Sequence, residues 1–252
     1  MHNPLDLTSR LILVTGASSG IGRETAVLLS QLNARLIICG RDAGRLEATR
    51  GSLEGQGHRA ECFDLSCLSE IGAWIKRLAG EEGPLDGMVH CAGVHAMVPL
   101  AVMGEQKIEH VLRANVSTSI LLARAFRQRG CYRPGGSLVF LSSVAGFAGA
   151  PGMAVYAASK AAVAGLTKTL AMELASEQIR VNCVVPGFVR TEMTERLRAA
   201  LTAQQYHAIE AEHPLGIGSP RDVAYGIAFL LAETGRWITG SDLVIDGGYT
   251  AH

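Results

Sequence analysis

The chain has 252 residues, of which 48% are hydrophobic and 18% charged, and its 23 basic side chains are balanced by 23 acidic ones. A neutral overall charge provides no field to recruit nucleic acid or an anionic membrane, and this apolar content argues against a disordered chain. No linker, repeat or charge run divides the sequence, so we expect one domain over residues 1–252.

The six cysteines show no paired CxxC spacing, so we expect reduced thiols and neither a metal site nor a disulfide. Four of them lie inside or beside apolar strand-like runs, and we expect these to be buried: Cys39, Cys62, Cys91 and Cys183. The N-terminus lacks the basic-then-apolar layout of a signal peptide, and Pro151 interrupts the low-charge stretch 137–159, which argues against a membrane span. We therefore expect a cytoplasmic protein with a small-molecule substrate and no nucleic-acid or membrane partner.

Short apolar runs alternate with segments of helical spacing from end to end. The runs predict seven strands, at 11–15, 35–39, 59–63, 87–91, 137–141, 180–185 and 242–245. Helical spacing predicts helices, among them 25–32, 71–78, 108–126 and 161–174. Continuously apolar strands separated by helices indicate a parallel sheet covered on both faces. The sequence therefore predicts an α/β, Rossmann-type, doubly wound single domain, whose ligands bind beyond the carboxyl ends of the strands.

The segment 188–214 interrupts this rhythm just after a predicted strand end. Its composition is helical, and an insertion at that edge would form a small lid over a ligand. The alternative is an ordinary amphipathic pair of surface helices.

Glycines follow the first predicted strand in the order Gly16, Gly20 and Gly22, just before a helix expected to begin near Arg23. A turn without side chains lets backbone N–H groups approach a pyrophosphate, and the following helix N-terminus favours its negative charge. We expect a dinucleotide to bind here, with contacts from the residues between the glycines as well: Ser18, Ser19 and Ile21.

The end of the second strand indicates which dinucleotide binds. An NAD enzyme usually carries a carboxylate there for the ribose 2′-hydroxyl, whereas this chain has Gly40 followed by Arg41, whose guanidinium suits a 2′-phosphate. Asp42 is the competing carboxylate, but it is better placed to cap the next helix. The sequence therefore predicts NADP(H).

Tyr156 and Lys160 share one face of a predicted helix, one turn apart. A free tyrosine has a pKa near ~10, so acid–base work at neutral pH requires help. We expect the Lys160 ammonium and an oxidised nicotinamide to lower that pKa by favouring the phenolate.

Together with their order and spacing, these motifs make the chain resemble the short-chain dehydrogenase/reductase (SDR) family over nearly its whole length. The matching pieces are residues 15–22, Asp64 and Leu65, Ala92 and Gly93, Asn115, residues 141–144, Tyr156 with Lys160, Pro186 and Gly187, residues 238–240 and residues 246–248. Within the family, bacterial 3-oxoacyl-carrier-protein reductases are the nearest general resemblance.

The resemblance implies a catalytic tetrad. Tyr156 is the proton donor in reduction and the acceptor in oxidation. Ser143, chosen over its neighbour Ser142 by the family spacing, binds the substrate oxygen. Lys160 holds the nicotinamide ribose, and Asn115, an unfavourable residue within its apolar predicted helix, is linked to Lys160 through water.

The resemblance also implies cofactor contacts along the chain, including an adenine contact by Asp64 and a carboxamide contact by Thr191. The remaining implied contacts are Leu65, Ala92, Gly93, Asn115, Tyr156, Lys160, Pro186, Gly187 and Val189. Where the family usually has two asparagines after the fourth strand, this chain has His90 and Cys91. We expect a structural role for His90 rather than a catalytic one.

We therefore expect an NADP(H)-dependent oxidoreductase that moves a hydride between nicotinamide and a carbonyl or secondary alcohol carbon, most simply a ketoreductase. Arg127 and Arg129 would suit an acidic carrier protein, but Glu177 stands where such reductases commonly carry a basic residue. A reductase of a sugar, steroid or small ketone is the alternative, and a non-catalytic dinucleotide sensor is disfavoured by the intact tetrad.

Substrate-lining positions expected from the pattern form a mixed, largely apolar set: His95, Met97, Ala145, Phe147, Met153 and Phe188. They select no substrate. The family resemblance implies a homotetramer.

Overall fold

The computed structural model describes residues 3–198 and 201–251. The described residues form one seven-stranded sheet in which every pairing is parallel, in the order β3-β2-β1-β4-β5-β6-β7. The strands are β1 Leu11–Thr15, β2 Arg35–Gly40, β3 Arg59–Cys62, β4 Leu85–His90, β5 Tyr132–Leu141, β6 Arg180–Pro186 and β7 Asp242–Ile245. The predicted doubly wound α/β fold is therefore confirmed.

Helices connect the strands and cover both faces of the sheet. They are α1 Gly20–Gln31, α2 Ala43–Arg50, α3 Ile71–Glu82, α4 Glu105–Leu112, α5 Thr118–Phe126, α6 Ala154–Leu174, α7 Glu192–Arg198, α8 Ala203–Ala211 and α9 Pro220–Leu231. Among these described helices, none is long and apolar enough to cross a lipid bilayer.

Two hydrophobic clusters hold the layers together, one on each face of the sheet. On one face the strands pack against α3, α5 and α6, with Trp74, Phe126 and Val163 among the buried side chains. On the other face they pack against α1 and α9, with Leu29 and Ile227 buried. Because both faces are covered, the central strands are apolar at consecutive positions rather than at alternate ones.

Six of the predicted strands are right to within two residues at each end. The prediction 137–141 was too short, because β5 begins at Tyr132. Its first pair is Leu85 with Tyr132, and regular pairing resumes at Gly87 with Ser137. The sequence between them contains Pro134 and two glycines, which resemble a turn but form an irregular part of the strand, exposed at residues 133–135.

Helix boundaries were predicted less well. The helix predicted over 108–126 is divided into α4 and α5 by a π-helical turn at Arg113–Ser117. The first helix begins at Gly20 rather than near Arg23 or at 25, and the helix predicted over 161–174 begins at Ala154. Asp42 caps α2 as predicted, its side chain accepting a hydrogen bond from the Arg45 backbone N–H.

The predicted insertion 188–214 contains α7 and α8, and its residues 199 and 200 lie outside the described part of the chain. The Thr202 hydroxyl begins α8 with a capping box. His213 ends the insertion buried, with Nε2 accepting from the Phe188 N–H at 3.1 Å and Nδ1 bonded to the Ile209 carbonyl oxygen at 2.8 Å. These bonds join the two ends of the insertion to each other.

Cys62 is exposed, so its predicted burial was wrong. It ends β3, which is an edge strand with a neighbour on one side only. Cys39 and Cys183 on inner strands are buried as predicted, and all six cysteines, each within the described residues, are free thiols.

Burial on α3 predicts a contrast between neighbouring positions. Ile75 is fully buried in the cluster shared with α5 and α6, whereas Lys76 beside it is exposed. Ile75→Ala should lower the free energy of unfolding by about 2–5 kcal/mol because it leaves a cavity. Lys76→Ala should change it by less than about 0.5 kcal/mol. Chemical denaturation at one fixed protein concentration measures both, and equal effects would contradict this description of the core.

Candidate active site

The carboxyl ends of β1 and β4 lie side by side where the strand order changes direction. β1 pairs with β2 on one side and with β4 on the other, so the sheet grows in one direction through β2 and β3 and in the opposite direction from β4 onward. Open α/β sheets bind ligands in the crevice at such a point. The loops that follow β1, β2, β4, β5 and β6 carry most of the candidate residues and open at this edge.

The turn from β1 into α1 lies directly against the loop that leaves β4. Gly16 has a φ of +69°, and a Cβ there would stand 2.6 Å from the amide nitrogen of Ala92. A Cβ on Gly22 would collide with the Gly16 carbonyl oxygen. Only glycine fits at both positions, and the bare backbone is what a pyrophosphate needs for close approach of N–H groups. The turn fits a dinucleotide.

The N-terminus of α1 receives a carboxylate that sequence reasoning missed. The Gly20 N–H donates to Glu192 Oε2 at 3.0 Å, and Glu192 Oε1 forms an ion pair with Arg23 Nη2 at 2.9 Å. Thr191 lies beside the same turn, since its Cγ2 is 3.2 Å from where a Gly20 Cβ would be. A separation of 172 residues gives no sequence signal for this contact.

The ends of β2 and β3 form the next part of the edge. Gly40 lies against Ser18, with a Cβ at Gly40 standing 3.2 Å from the Ser18 Oγ. Asp42 is occupied by Arg45, whose backbone N–H and Nε donate to its carboxylate at 2.9 and 2.8 Å. A hydrogen bond from the Ser66 N–H and, to a smaller extent, the charge of Arg41 lower the pKa of Asp64.

His90 ends β4 as a buried, neutral side chain. Its Nδ1 lies 2.7 Å from the Thr15 Oγ1, and its Nε2 has no hydrogen-bond partner among the described residues. Burial, with the positive charge of Lys160 as a smaller cause, lowers the pKa of His90 to about 3. These contacts fit the structural role expected for this histidine, which joins β4 to β1.

Asn115 lies in the π-helical turn and connects the loop after β4 to α6. Its Oδ1 accepts from the Val94 N–H at 2.9 Å, and its Nδ2 donates to the Val94 carbonyl oxygen at 3.0 Å and to the Ser159 Oγ at 2.9 Å. π-helical turns are rare in proteins, and those that occur are frequently found at functional sites. A Cβ at Gly93 would stand 3.1 Å from Asn115 Oδ1 and 3.7 Å from Lys160 Nζ, so the three residues are neighbours.

The two serines after β5 face different neighbours. Ser142 is buried and its hydroxyl donates to the Lys160 carbonyl oxygen at 2.8 Å. Ser143 accepts from the Ala145 N–H at 3.2 Å, and its hydroxyl lies near enough to Tyr156 to lower the pKa of that phenol. Of the two hydroxyls, the one on Ser143 is therefore the one beside the phenol.

Tyr156 and Lys160 lie one turn apart on α6. The Lys160 Nζ is 5.7 Å from the centroid of the Tyr156 ring and donates to the Leu141 carbonyl oxygen at 2.9 Å. Burial lowers the pKa of Lys160 to about 8. Burial raises the pKa of Tyr156, opposed by the hydrogen bond with Ser143. In the protein alone the pKa of Tyr156 is therefore raised, and the lowering expected from Lys160 is not found.

The predicted substrate-lining residues divide into separate groups. His95 contacts Tyr156, with ring centroids 4.8 Å apart, and Ala145 lies beside Ser143. Phe147 is half exposed. Phe188 instead contacts Tyr206 of α8, with ring centroids 6.4 Å apart.

The loop after β6 brings the remaining candidates to the same edge. Gly187 lies against Asp246, to whose Cα a Cβ at Gly187 would stand 2.8 Å away. Val189 forms an isolated bridge with Gly218. Thr191 follows and lies against the glycine turn, so this loop brings the end of β6 into contact with the start of α1.

Comparisons with known proteins agree with this architecture. A family model described as enoyl-(acyl carrier protein) reductase matches residues 16–250. A 3-oxoacyl-[acyl-carrier-protein] reductase of Rickettsia prowazekii is 36% identical over 97% of this chain and 98% of its own length.

Two solved structures are similar over nearly the entire chain. A short-chain type dehydrogenase/reductase from Mycobacterium marinum shares 32% identity, with a TM-score of 0.86 over 99% of this chain and 98% of that one. A candidate 2-deoxy-d-gluconate 3-dehydrogenase from Agrobacterium tumefaciens, solved with bound NADP, shares 30% identity, with a TM-score of 0.88 over the full length of both. The chain belongs to the short-chain dehydrogenase/reductase family of oxidoreductases.

Proposed function

We propose that this protein is an NADP(H)-dependent ketoreductase in which Tyr156, Ser143, Lys160 and Asn115 form the catalytic site. The observation that carries the proposal is the half-buried Tyr156, which lies beside Ser143 and one helical turn from Lys160, at the same sheet edge as the glycine turn. A sensor would need the turn but not this pair. We propose the same single domain for residues 1–252.

The residues of the chain would divide the proton chemistry between them. The Tyr156 hydroxyl gives its proton to the substrate oxygen during reduction and takes one back during oxidation. Ser143 orients that oxygen by a hydrogen bond. Lys160, whose position is fixed by the Leu141 carbonyl, supplies a positive charge that favours the phenolate once the proton leaves. Asn115 holds the Val94 loop against α6 and so fixes the spacing of the site.

A nicotinamide dinucleotide, when bound, supplies or accepts the hydride of this reaction. The pyrophosphate would bind the backbone of Gly16, Ser18, Ser19, Gly20, Ile21 and Gly22. The adenosine end would contact Arg41, Asp64 and Leu65, and the nicotinamide end would contact Ala92, Gly93, Pro186, Gly187, Val189 and Thr191. The absence of side chains at the glycine turn supports this assignment.

NADP(H) is the dinucleotide that we propose. The Asp42 carboxylate is occupied as the cap of α2, so it is not free to accept from a ribose hydroxyl. Arg41 is exposed at the end of β2, where a guanidinium would meet a 2′-phosphate. The similar structure that contains NADP is consistent with this choice.

A free sugar, steroid or small ketone is the second candidate substrate, and one observation favours it over a carrier-bound thioester. Arg127 is engaged by Glu177, its Nε donating to Glu177 Oε1 at 3.1 Å, and Tyr132 donates to the same carboxylate. An arginine neutralised in this way offers little charge to an acidic carrier protein.

We also propose the homotetramer that the family resemblance implies. Exposed apolar side chains lie on two opposite surfaces, one with Ile108, Leu112 and Ile120 on α4 and α5, the other with Tyr225 and Phe229 on α9. Two self-complementary interfaces generate a symmetric tetramer. Light scattering that returns the mass of one chain would rule this out.

A panel of carbonyl compounds tests the reaction class. A 3-oxoacyl thioester, a cyclic ketone and a keto sugar are supplied in turn, and NADPH oxidation is followed by absorbance. At least one should be reduced, and Tyr156→Phe should lower its kcat by roughly 10²–10⁴, because only the phenolic proton donor is lost. Cofactor affinity should be nearly unchanged. A variant that keeps more than about a tenth of kcat, with chemistry rate-limiting, would exclude Tyr156 as the proton donor.

Arg41 should determine the preference between dinucleotides. Calorimetric titration should show NADPH binding at least about tenfold more tightly than NADH, a difference of ~1.4 kcal/mol. Arg41→Ala should reduce that ratio. Arg50→Ala is the matched control, because Arg50 pairs with Glu47 on α2 and its loss changes net charge by the same amount. Equal or tighter binding of NADH to the unmodified protein would refute the proposal.

The pH dependence should follow the phenol of Tyr156. Alcohol oxidation needs the phenolate, so its rate should rise by roughly tenfold per pH unit below the pKa of Tyr156. Because burial raises that pKa, carbonyl reduction should keep its protonated donor through neutral pH and decline only as pH climbs through the same pKa. Lys160→Met should move both limbs of the pH–rate profiles to higher pH at saturating cofactor, because the phenolate and the Lys160 ammonium stabilise each other and the variant loses that coupling.

His90→Asn is the control for this pH experiment. Since burial lowers the pKa of His90 to about 3, the imidazole is neutral throughout the measured range. Its replacement by asparagine should leave both limbs of the pH–rate profiles at the same pH. If the limbs of the pH–rate profile shift in His90→Asn but stay in place in Lys160→Met, the assignment of the titrating group to Tyr156 would be overturned.

A further inference from the structure

The first helix lacks a cap of its own at the end that faces the crevice. Ser19 precedes α1 in extended conformation and makes no capping bond with its side chain, and no acidic residue lies in the first turn. The first N–H groups of a helix have no partner within it and carry partial positive charge. An anion from elsewhere in the chain can satisfy them.

Glu192 supplies that anion. Its Oε2 accepts from the Gly20 N–H at 3.0 Å, while its Oε1 pairs with Arg23 in the first turn of the same helix. Glu192 is the first residue of α7, and the preceding Thr191 has its methyl group against Gly20. A carboxylate thus meets the helix end in the way a phosphate oxygen does elsewhere.

The same N–H group belongs to the turn that we propose for the cofactor pyrophosphate. A pyrophosphate and a carboxylate are both negative, so they repel when both lie at one helix end. The turn is also crowded from the same side, because the Thr191 Cγ2 lies 3.2 Å from the position that a Cβ on Gly20 would take. Cofactor entry therefore acts against the contact between Glu192 and α1.

We propose that Glu192 sets cofactor affinity by occupying the anion-binding end of α1 until the dinucleotide displaces it. The proposal rests on the proposed cofactor site. Displacement separates the start of α7 from the glycine turn, so cofactor binding and the position of α7 are linked. The cost of breaking the carboxylate contact weakens cofactor binding and speeds cofactor release.

If Glu192 had a purely structural role, replacing it would change cofactor affinity in the opposite direction. If its carboxylate held α7 in the conformation that receives the cofactor, its loss would weaken binding. Glu192→Gln separates the two, because the amide oxygen still accepts from the Gly20 N–H while the negative charge is gone. Glu195→Gln is the matched control on the same helix, since Glu195 pairs with Arg198 at 3.6 Å.

Calorimetric titration with NADPH and with NADP⁺ measures the effect without relying on turnover. Glu192→Gln should bind both roughly tenfold more tightly, and Glu195→Gln should match the unmodified protein. Weaker or unchanged binding by Glu192→Gln would overturn the inference. If the unmodified protein and Glu192→Gln bind equally well, only the inference falls, and if neither binds a dinucleotide, the proposed function falls with it.

Amide hydrogen exchange supplies a second readout on the unmodified protein. Saturation with NADPH should slow exchange in the glycine turn and accelerate it in residues 192–198. Slower exchange in both segments would mean that cofactor and Glu192 act together, and that result would also overturn the inference.

Discussion

The close contact between the glycine turn and the loop leaving β4 is the constraint on which the site depends. A Cβ on Gly16 would collide with the backbone of Ala92, and a Cβ on Gly22 would collide with the Gly16 carbonyl, so a side chain at either position would disrupt the turn. This contact brings Thr15 to His90, and the loop that begins there continues to Val94, where Asn115 holds it. The proposed cofactor surface and the proposed catalytic site are therefore parts of one backbone arrangement.

Charge within this arrangement is distributed so that one buried cation is tolerated. Lys160 lies in an apolar setting where burial lowers its pKa to about 8, and a second cation nearby would be costly. His90 avoids that cost by remaining neutral, as an asparagine would. The departure from the usual asparagine pair thus preserves a neutral hydrogen-bonding side chain at the end of β4, which explains why the family pattern tolerates it here.

Sequence reasoning succeeded where one local signal sufficed. Inner strands such as 11–15 are continuously apolar, and the Tyr156 and Lys160 spacing is helical, so both were predicted closely. Sequence reasoning failed where contacts between residues distant in the chain determine the local structure or the pKa. The break in the helix predicted over 108–126 depends on the bonds of Asn115 to Val94 and Ser159, and the pKa of Tyr156 depends on burial that no motif encodes.

The π-helical turn at Arg113–Ser117 has a consequence for the outer surface of the molecule. A wide turn accommodates one residue more than an α-helical turn does. Deleting one residue there would restore a continuous α-helix and rotate α4 relative to α5 by about 100°. Asn115 would leave the loop after β4, and Ile108 and Leu112 would change direction relative to Ile120. One extra residue thus determines both the hydrogen bonds of Asn115 in the interior and the alignment of Ile108 and Leu112 with Ile120 on the surface. An insertion or deletion in this turn would therefore change both together.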